Sequence, residues 1–501
     1  MKAIKYIALA SLMMLTANSC TLEREEYSEI YPENFFLTET DLMLAVNALY
    51  YEFNPGLWGS ASVYTSDYSG YQIISDMTTD ATWCEWGWQS DQLHYHQWTA
   101  QVGPTNEIWN SFSHYNYLSS ARNTIRRIEA APVADNLKDV PLGEAHALRG
   151  WMALYLYDLF GPVPVASDEV LDDPETFVYL PRLTEEEYDQ MMETDLRAAI
   201  ELLPDQPAAR GRMSKGAARM ILLKYYMIKG YFDKAETLAR ELYAMEGSVY
   251  SLQPDYNYVF SKAGIGNNEI ILQLPGNASL EATANYMVAS ALPSDYPWSE
   301  KATGWGPGYN MPYEFLDTYD AADIRRQNIK DTYVNKSGVT KDRTSMKGAL
   351  PLKYGMDPDM SADQCFIDVV IYRYSDVLLT LAECVVRNGN SVTQEAVDLV
   401  DRVRARAGLP GLDTGQTASV AAFYDALLLE RGHEFYYEGL RRQDLIRFGK
   451  YVEYANNRIN AVNAADASLG YFNVTDAHNR FPIPQSFIDE SKSQIQQNTG
   501  Y

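Results

Sequence analysis

Apolar side chains return at helical spacing through much of the chain, most legibly between Ser214 and Gly247. Ala217, Ile221, Tyr225 and Ile228 make one apolar face, Gly230 breaks it, and Phe232, Ala235, Leu238, Ala239 and Leu242 make the next. The turn Gly230-Tyr-Phe-Asp-Lys-Ala235 matches that of a tetratricopeptide repeat, in which Gly ends the first helix and a small Ala lets the two helices approach closely. A second pair runs from Tyr374 through Asn388-Gly389-Asn390 into Glu395 to Arg406, and leaves at Gly408-Leu-Pro410. Two looser pairs precede these: Asp41 to Phe53 with Glu107 to Ala130, and Gly143 to Phe160 with Thr184 to Leu203, where Thr184-Glu-Glu-Glu187 reads as a capping box. Roughly four helical hairpins predict a mainly α scaffold in which each repeat buries its neighbour's face, with insertions too long for a regular solenoid.

The insertions collect the aromatic residues. Six of the nine Trp fall between Trp58 and Trp109, and Trp298 and Trp305 sit in a Gly/Pro/Tyr-rich stretch from Tyr296 to Tyr313. Long irregular loops on a rigid frame usually carry function. Trp83, Trp86 and Trp88 lie within Asp80 to Asp91, followed by His94, Tyr95, His96 and Trp98. In a strand Trp86 and Trp88 share a face; in a loop all three fan out. Such a cluster suits sugars, whose apolar C–H face lies flat on Trp or Tyr while their hydroxyls need polar partners at the rim. Asp80, Glu85, Gln89 and Asp91 are the candidate rim groups. For any single aromatic, core packing or a protein interface is the competing assignment.

Charge and the first residues narrow the setting. The net charge of −26 argues against nucleic acid as a partner. Lys2 and Lys5, an apolar run from Tyr6 to Ala17 and the small pair Asn18-Ser19 precede Cys20, which reads as a lipoprotein-type signal peptide over residues 1–19 with palmitate-type acylation at Cys20. An ordinary cleaved leader is the alternative. Loss of the two lysines takes the charge from −26 to about −28, and no later stretch has the roughly 18–20 apolar residues a spanning helix requires. Three further cysteines, Cys84, Cys365 and Cys384, make disulfides an unsuitable source of stability.

Catalytic signatures are missing. His433-Glu434 is followed by Tyr437 where a zinc protease needs its second His, no Gly-x-Ser-x-Gly occurs, and Gly304-x-Gly306-x-Gly308 neither follows a strand pattern nor opens a helix. Among 67 acids a glycosidase carboxylate pair stays open, but no enzyme is expected. His94-x-His96 with Cys84 and Asp91 lacks a second tight ligand pair, so no metal site is assigned. No cofactor is expected. Calcium is the one ion with an imperfect loop, Asp357-Pro-Asp359-Met-Ser361-Ala-Asp363 with Asp368 at the twelfth place, which has Ala362 where Gly is usual and Asp where a bidentate Glu is usual.

Three motifs carry a resemblance: Ala147 to Pro164 (ALRGWMALYLYDLFGPVP), Ile371 to Glu383 (IYRYSDVLLTLAE) and Glu430 to Gly449 (ERGHEFYYEGLRRQDLIRFG). With Phe481-Pro-Ile-Pro484 and the terminal Gln497-Asn-Thr-Gly-Tyr501, the chain resembles the SusD/RagB family from Cys20 onward. The resemblance implies one SusD-like domain over 20–501: helical repeats and the first aromatic loop to about 250, then a C-terminal region with the second aromatic loop and the last repeat. It further implies a lipid anchor in the Gram-negative outer membrane facing the exterior, and capture of glycan oligomers, or in some members peptides, for nutrient uptake. The ligand passes to a SusC-like TonB-dependent transporter. The family's ligand-binding loops fall on the two aromatic regions, adding Tyr296, Trp298, Trp305 and Tyr309 to the expected site of Asp80, Trp83, Trp86, Trp88, Asp91, Tyr95 and Trp98. Thr499 replaces the family's usual Pro, which leaves the seat of the terminus open. Arg149, Arg373 and Arg441, each near an acid (Asp158, Asp376, Asp444), read as charges buried within helix packing.

Overall fold

A computed structural model describes residues 35–54, 63, 70–87, 90–173, 175–280, 283–306 and 308–501. Cys20, Trp58, Trp88 and Gln89 lie outside the described residues. The principal helices are α1 (Glu39–Tyr50), α2 (Tyr71–Met77), α3 (Tyr115–Ala130), α4 (Asp135–Phe160), α5 (Glu185–Leu202), α6 (Lys215–Lys229), α7 (Phe232–Tyr243), α8 (Tyr374–Gly389), α9 (Gln394–Arg406), α10 (Val420–Glu434), α11 (Arg441–Arg447) and α12 (Tyr451–Ala465). Four short strands bear on the argument: β1 (Trp83–Cys84), β2 (Ile270–Leu274), β3 (Tyr309–Asn310) and β4 (Val369–Arg373).

Local chemistry sets the ends of the helices. The Thr184 hydroxyl accepts from Glu187 N at 3.2 Å while Glu187 Oε2 accepts from Thr184 N at 2.8 Å, so the capping box forms as read. Gly230 closes α6 at φ +74°, a left-handed conformation that costs Gly little. Ala235 is then fully buried where α6 and α7 meet. α4 starts at Asp135, ahead of the expected Gly143, and runs through Pro141. From Gly143 to its end every residue of α4 is buried, which is why this stretch shows little amphipathic contrast.

Packing runs α3 on α4, α4 on α5, α5 on α6 and α6 on α7, then α7 directly on α8 and α8 on α9. The long insertion between α7 and α8 is looped out, so the stack is unbroken in space although the sequence interrupts it. β2 and β4 close that insertion as an antiparallel pair, from Ile270 opposite Arg373 to Leu274 opposite Val369. No helix among the described residues is long and apolar enough to cross a membrane.

The expected buried charges are present, with different partners. Arg149 pairs with Asp195 at 2.7 Å rather than Asp158, Arg373 with Glu269, Glu434 and Glu438, and Arg441 with Asp80. Asp158 is held by Arg442, Asp376 by Arg431 and Lys224, and Asp444 by Arg431 and Arg447. In these pairs the partner comes mostly from another helix, so nearness in sequence misleads. Burial alone would push the Asp376 carboxyl up, but Lys224 and Arg431 pull it well below the carboxylate range. Removing one member of such a pair leaves an uncompensated charge and costs about 3–5 kcal/mol.

Candidate functional site

The two aromatic stretches, far apart in sequence, are joined by the β1–β3 pairing: Trp83 faces Asn310 and Cys84 faces Tyr309. Glu85 N extends it by donating to Gly308 O at 2.8 Å. A Cβ at Gly308 would stand 2.3 Å from the Trp86 ring, so this glycine is there to let an indole lie on the backbone. Gly304 likewise lies against Leu292, where a Cβ would meet the carbonyl at 2.0 Å, so these two glycines serve packing, while Gly306 between them supplies a positive φ of +103°.

Beside this junction lies a groove of about 590 Å³. The first aromatic stretch contributes Asp80, Trp83 and Tyr95, and α12 contributes Tyr454 and Arg458. Pro312, Glu314, Phe315, Thr318 and Lys347 complete the lining. The Trp83 indole stacks on His94, ring centroids 4.0 Å apart and 11° from parallel, and the Arg458 guanidinium carbon sits 4.3 Å from its centroid. Tyr95 meets Trp83 edge-on at 6.0 Å and stacks on Tyr471 at 4.8 Å. Burial, reinforced by Arg458, holds the His94 imidazole down at about 3, so it is neutral. Its Nε2 accepts from Cys84 N at 3.0 Å, which places the proton on Nδ1, 3.1 Å from Met77 O. Arg441 donates to both oxygens of Asp80, at 2.8 and 2.7 Å. On α12, Tyr454 and Arg458 stand one turn apart, Arg458 Nη1 donating to Tyr454 Oη at 2.8 Å and Tyr454 Oη donating to Thr79 O at 2.8 Å.

Of the expected site residues, the structure brings Asp80, Trp83 and Tyr95 into this groove. Trp86 and Trp305 form a separate half-buried cluster, 6.0 Å apart, in which Trp305 stacks on Tyr286 at 5.2 Å and donates Nε1–H to Asp363 at 2.8 Å. Tyr296 and Trp298 gather instead with Tyr333, and Asp91 is exposed on the short helix Ser90–His94. Two residues are corrected outright. Tyr309 and Trp98 have no exposed surface and cannot offer a ring face to a ligand. Trp98 packs on Phe481 at 4.9 Å and donates Nε1–H to Tyr501 Oη at 2.8 Å, which itself donates to Arg480 O at 2.7 Å. This indole therefore seats the last residues, with Thr499 exposed between the buried Asn498 and the latch.

The acidic loop does not gather its carboxylates either. Lys262 Nζ lies 3.0 Å from Asp359 and 3.6 Å from Asp357, Asp363 accepts from Trp305, and Asp368 pairs with Arg210 at 2.9 Å. Among the described residues no three or more His, Cys, Asp or Glu side chains are placed to share a metal ion. The groove residues that sequence reasoning missed are chiefly Phe315, Lys347, Tyr454, Arg458 and the Arg441 clamp. For two of them a signal existed: Tyr454 and Arg458 share a helix face at i, i+4.

The chain has recognisable relatives among known proteins. The model of the SusD family matches residues 244–501, and a second family model, described as "Starch-binding associating with outer membrane", matches residues 22–227. A SusD-like protein of Bacteroides ovatus is 25% identical over 500 residues, covering 93% of this chain and 84% of the relative. Starch-binding protein SusD of Bacteroides thetaiotaomicron is 24% identical, covering 85% and 84%. Among solved structures, a SusD homolog from Bacteroides thetaiotaomicron has a TM-score of 0.76 at 20% identity, over 94% of this chain and 98% of its own. Surface glycan-binding protein A from the same organism, in complex with laminarihexaose, has a TM-score of 0.71 at 20% identity, over 92% and 99%.

Proposed function

For this chain, which belongs to the SusD family, we propose a non-catalytic surface role: capturing glycan oligomers in the groove between Trp83, Tyr95 and α12 and delivering them to a SusC-like TonB-dependent transporter. The groove itself carries this reading. It is open, of a size for several sugar rings, and combines aromatic surface with polar groups on its rim. Trp86 and Trp305, half-exposed beyond the β1–β3 junction, are the natural place for further rings of a longer chain, with Tyr296 and Trp298 as an outlying patch. Relatives named as starch-binding and glycan-binding proteins point to the same ligand class. Anchoring falls to Cys20 through acylation, outside the cell.

A binding role also fits the carboxylates. Asp80 has both oxygens engaged by Arg441 and is poorly placed to act as a proton donor, and the acids of the Glu430–Gly449 motif are buried in ion pairs. Each stacked ring contributes only about 0.5–1.5 kcal/mol beyond area burial, so affinity for one short oligomer is modest and polymer avidity adds the rest.

Isothermal titration against neutral and acidic oligosaccharides, with Trp83→Ala and Tyr95→Ala beside the wild type, tests this. Binding that both changes abolish supports the groove; binding untouched by either removes it. Reducing ends accumulating with purified protein would replace the reading with a hydrolase. Labelled palmitate failing to appear on Cys20 would remove the anchor.

A further inference from the structure

The groove holds one guanidinium that the other described residues leave without a carboxylate partner. Asp80 is taken by Arg441, and Lys347 lies 3.4 Å from Glu85. Arg458, by contrast, has no carboxylate within ion-pair distance among the described residues, and of its nitrogens only Nη1 meets an acceptor, the neutral Tyr454 hydroxyl. A cation without its counter-charge beside an open groove, in a chain carrying −26, is an unusual placement.

Its position favours a ligand. The guanidinium carbon stands over the Trp83 ring, 4.3 Å from its centroid, and 5.4 Å from that of Tyr95, and its Nε and Nη2 meet no acceptor among the described residues, so they are open to hydrogen bonding. Trp83 is also stacked by His94, so it is not a bare platform. A sugar approaching that indole meets Arg458 as part of the same surface. A neutral sugar supplies only hydroxyls to this edge, whereas a planar carboxylate matches the guanidinium fork with two parallel charge-assisted bonds.

Building on the glycan-binding reading above, we propose that this groove selects acidic glycans, the carboxylate of a uronic acid residue pairing with Arg458 while the sugar ring packs against Trp83 and Tyr95. Glu314, exposed on another lining element, Tyr313–Leu316, repels such a ligand and so disfavours a carboxylate placed beside it. The overall negative charge does not prevent this. At physiological salt it is screened beyond about 8 Å, while a contact ion pair within the groove is screened much less.

The test uses the purified full chain and hexamers of galacturonate, alginate and glucuronate-bearing xylan. Each is titrated beside its carboxyl-esterified or carboxyl-reduced neutral counterpart, with neutral maltohexaose and laminarihexaose added. A charge-assisted pair predicts that the best acidic oligomer binds about 10- to 100-fold more tightly than its neutral counterpart. The preference should shrink as salt rises, fall to within about twofold in Arg458→Gln and survive in part in Arg458→Lys. Equal binding of acidic and neutral forms by the wild type, or a preference that survives Arg458→Gln, overturns the acidic selectivity alone. Absence of binding to every sugar, neutral ones included, overturns the glycan-binding reading beneath it. If Arg458→Gln fails to fold, the wild-type comparison and its salt dependence still decide the matter.

Discussion

Trp83 and Trp98 belong to one aromatic-rich stretch and meet opposite fates. Trp83 lies half-exposed on a groove wall, stacked by His94 and overlaid by Arg458, whereas Trp98 is wholly buried and hydrogen-bonded to Tyr501 at the other end of the chain. What separates them is the partner each finds. The Trp98 N–H finds the Tyr501 phenol, which satisfies it inside the core, whereas the Trp83 ring packs against Arg458 beside an open groove.

The contrast can be broken most forcefully at Trp98. Trp98→Ala should cost about 3–5 kcal/mol in denaturant unfolding, from lost burial and an empty cavity, while folded protein keeps its affinity for sugar. Trp83→Ala should do the reverse, abolishing binding at a smaller stability cost. If both variants lose stability equally and binding equally, the two indoles are not functionally distinct.

A second comparison is between Asp80, held at the groove by Arg441, and Asp76 beneath it on α2. Burial pushes the Asp76 carboxyl from 3.8 up to about 7, against the opposing pulls of the Gly439 and Arg441 backbone amides and of Lys353, and with Glu438 adding to the rise. The folded state therefore keeps a proton that the unfolded chain gives up. This group's contribution is complete below about pH 4 and is lost as pH rises through about 7, the opposite sense to a salt-bridged acid. Asp76→Asn should thus gain a few kcal/mol relative to wild type between pH 5 and pH 8 in paired denaturation curves. An unchanged difference would mean that Asp76 ionises in the fold.

Smaller effects sharpen the picture. Tyr501→Phe removes the acceptor of the Trp98 N–H and should lower stability by about 0.5–1.5 kcal/mol without touching affinity, as read by thermal unfolding and titration. Glu314→Gln should tighten acidic oligomers by no more than a few-fold and leave neutral ones unchanged, since an exposed charge is worth about 1 kcal/mol or less.

The helical frame was legible where its chemistry is local. Gly230 and the Thr184–Glu187 box announce their helix ends because the atoms that satisfy the backbone lie within a turn. α4 is not legible at its start because the segment Asp135–Leu142 is largely exposed and carries Pro141, which reads as a break before Gly143. Burial of Arg149, Arg373 and Arg441 could be inferred from their apolar surroundings, but their partners could not, since these stand on other elements. In the groove, Asp80, Trp83 and Tyr95 were readable as a cluster. Arg458 shares a helix face with Tyr454, but that spacing does not say that the face lies against Trp83 and Tyr95, far away in sequence.

Asp80 and Arg441, which brace the groove, are 361 residues apart, and Arg458 lies later still. A chain emerging from synthesis with its N-terminus first displays Trp83 and Tyr95 long before their opposite wall exists, and closing so long a loop carries a configurational cost that local helices escape. The stacked helices can thus form early while the binding surface matures last, and fragments ending before α12 should keep helicity yet hold no sugar.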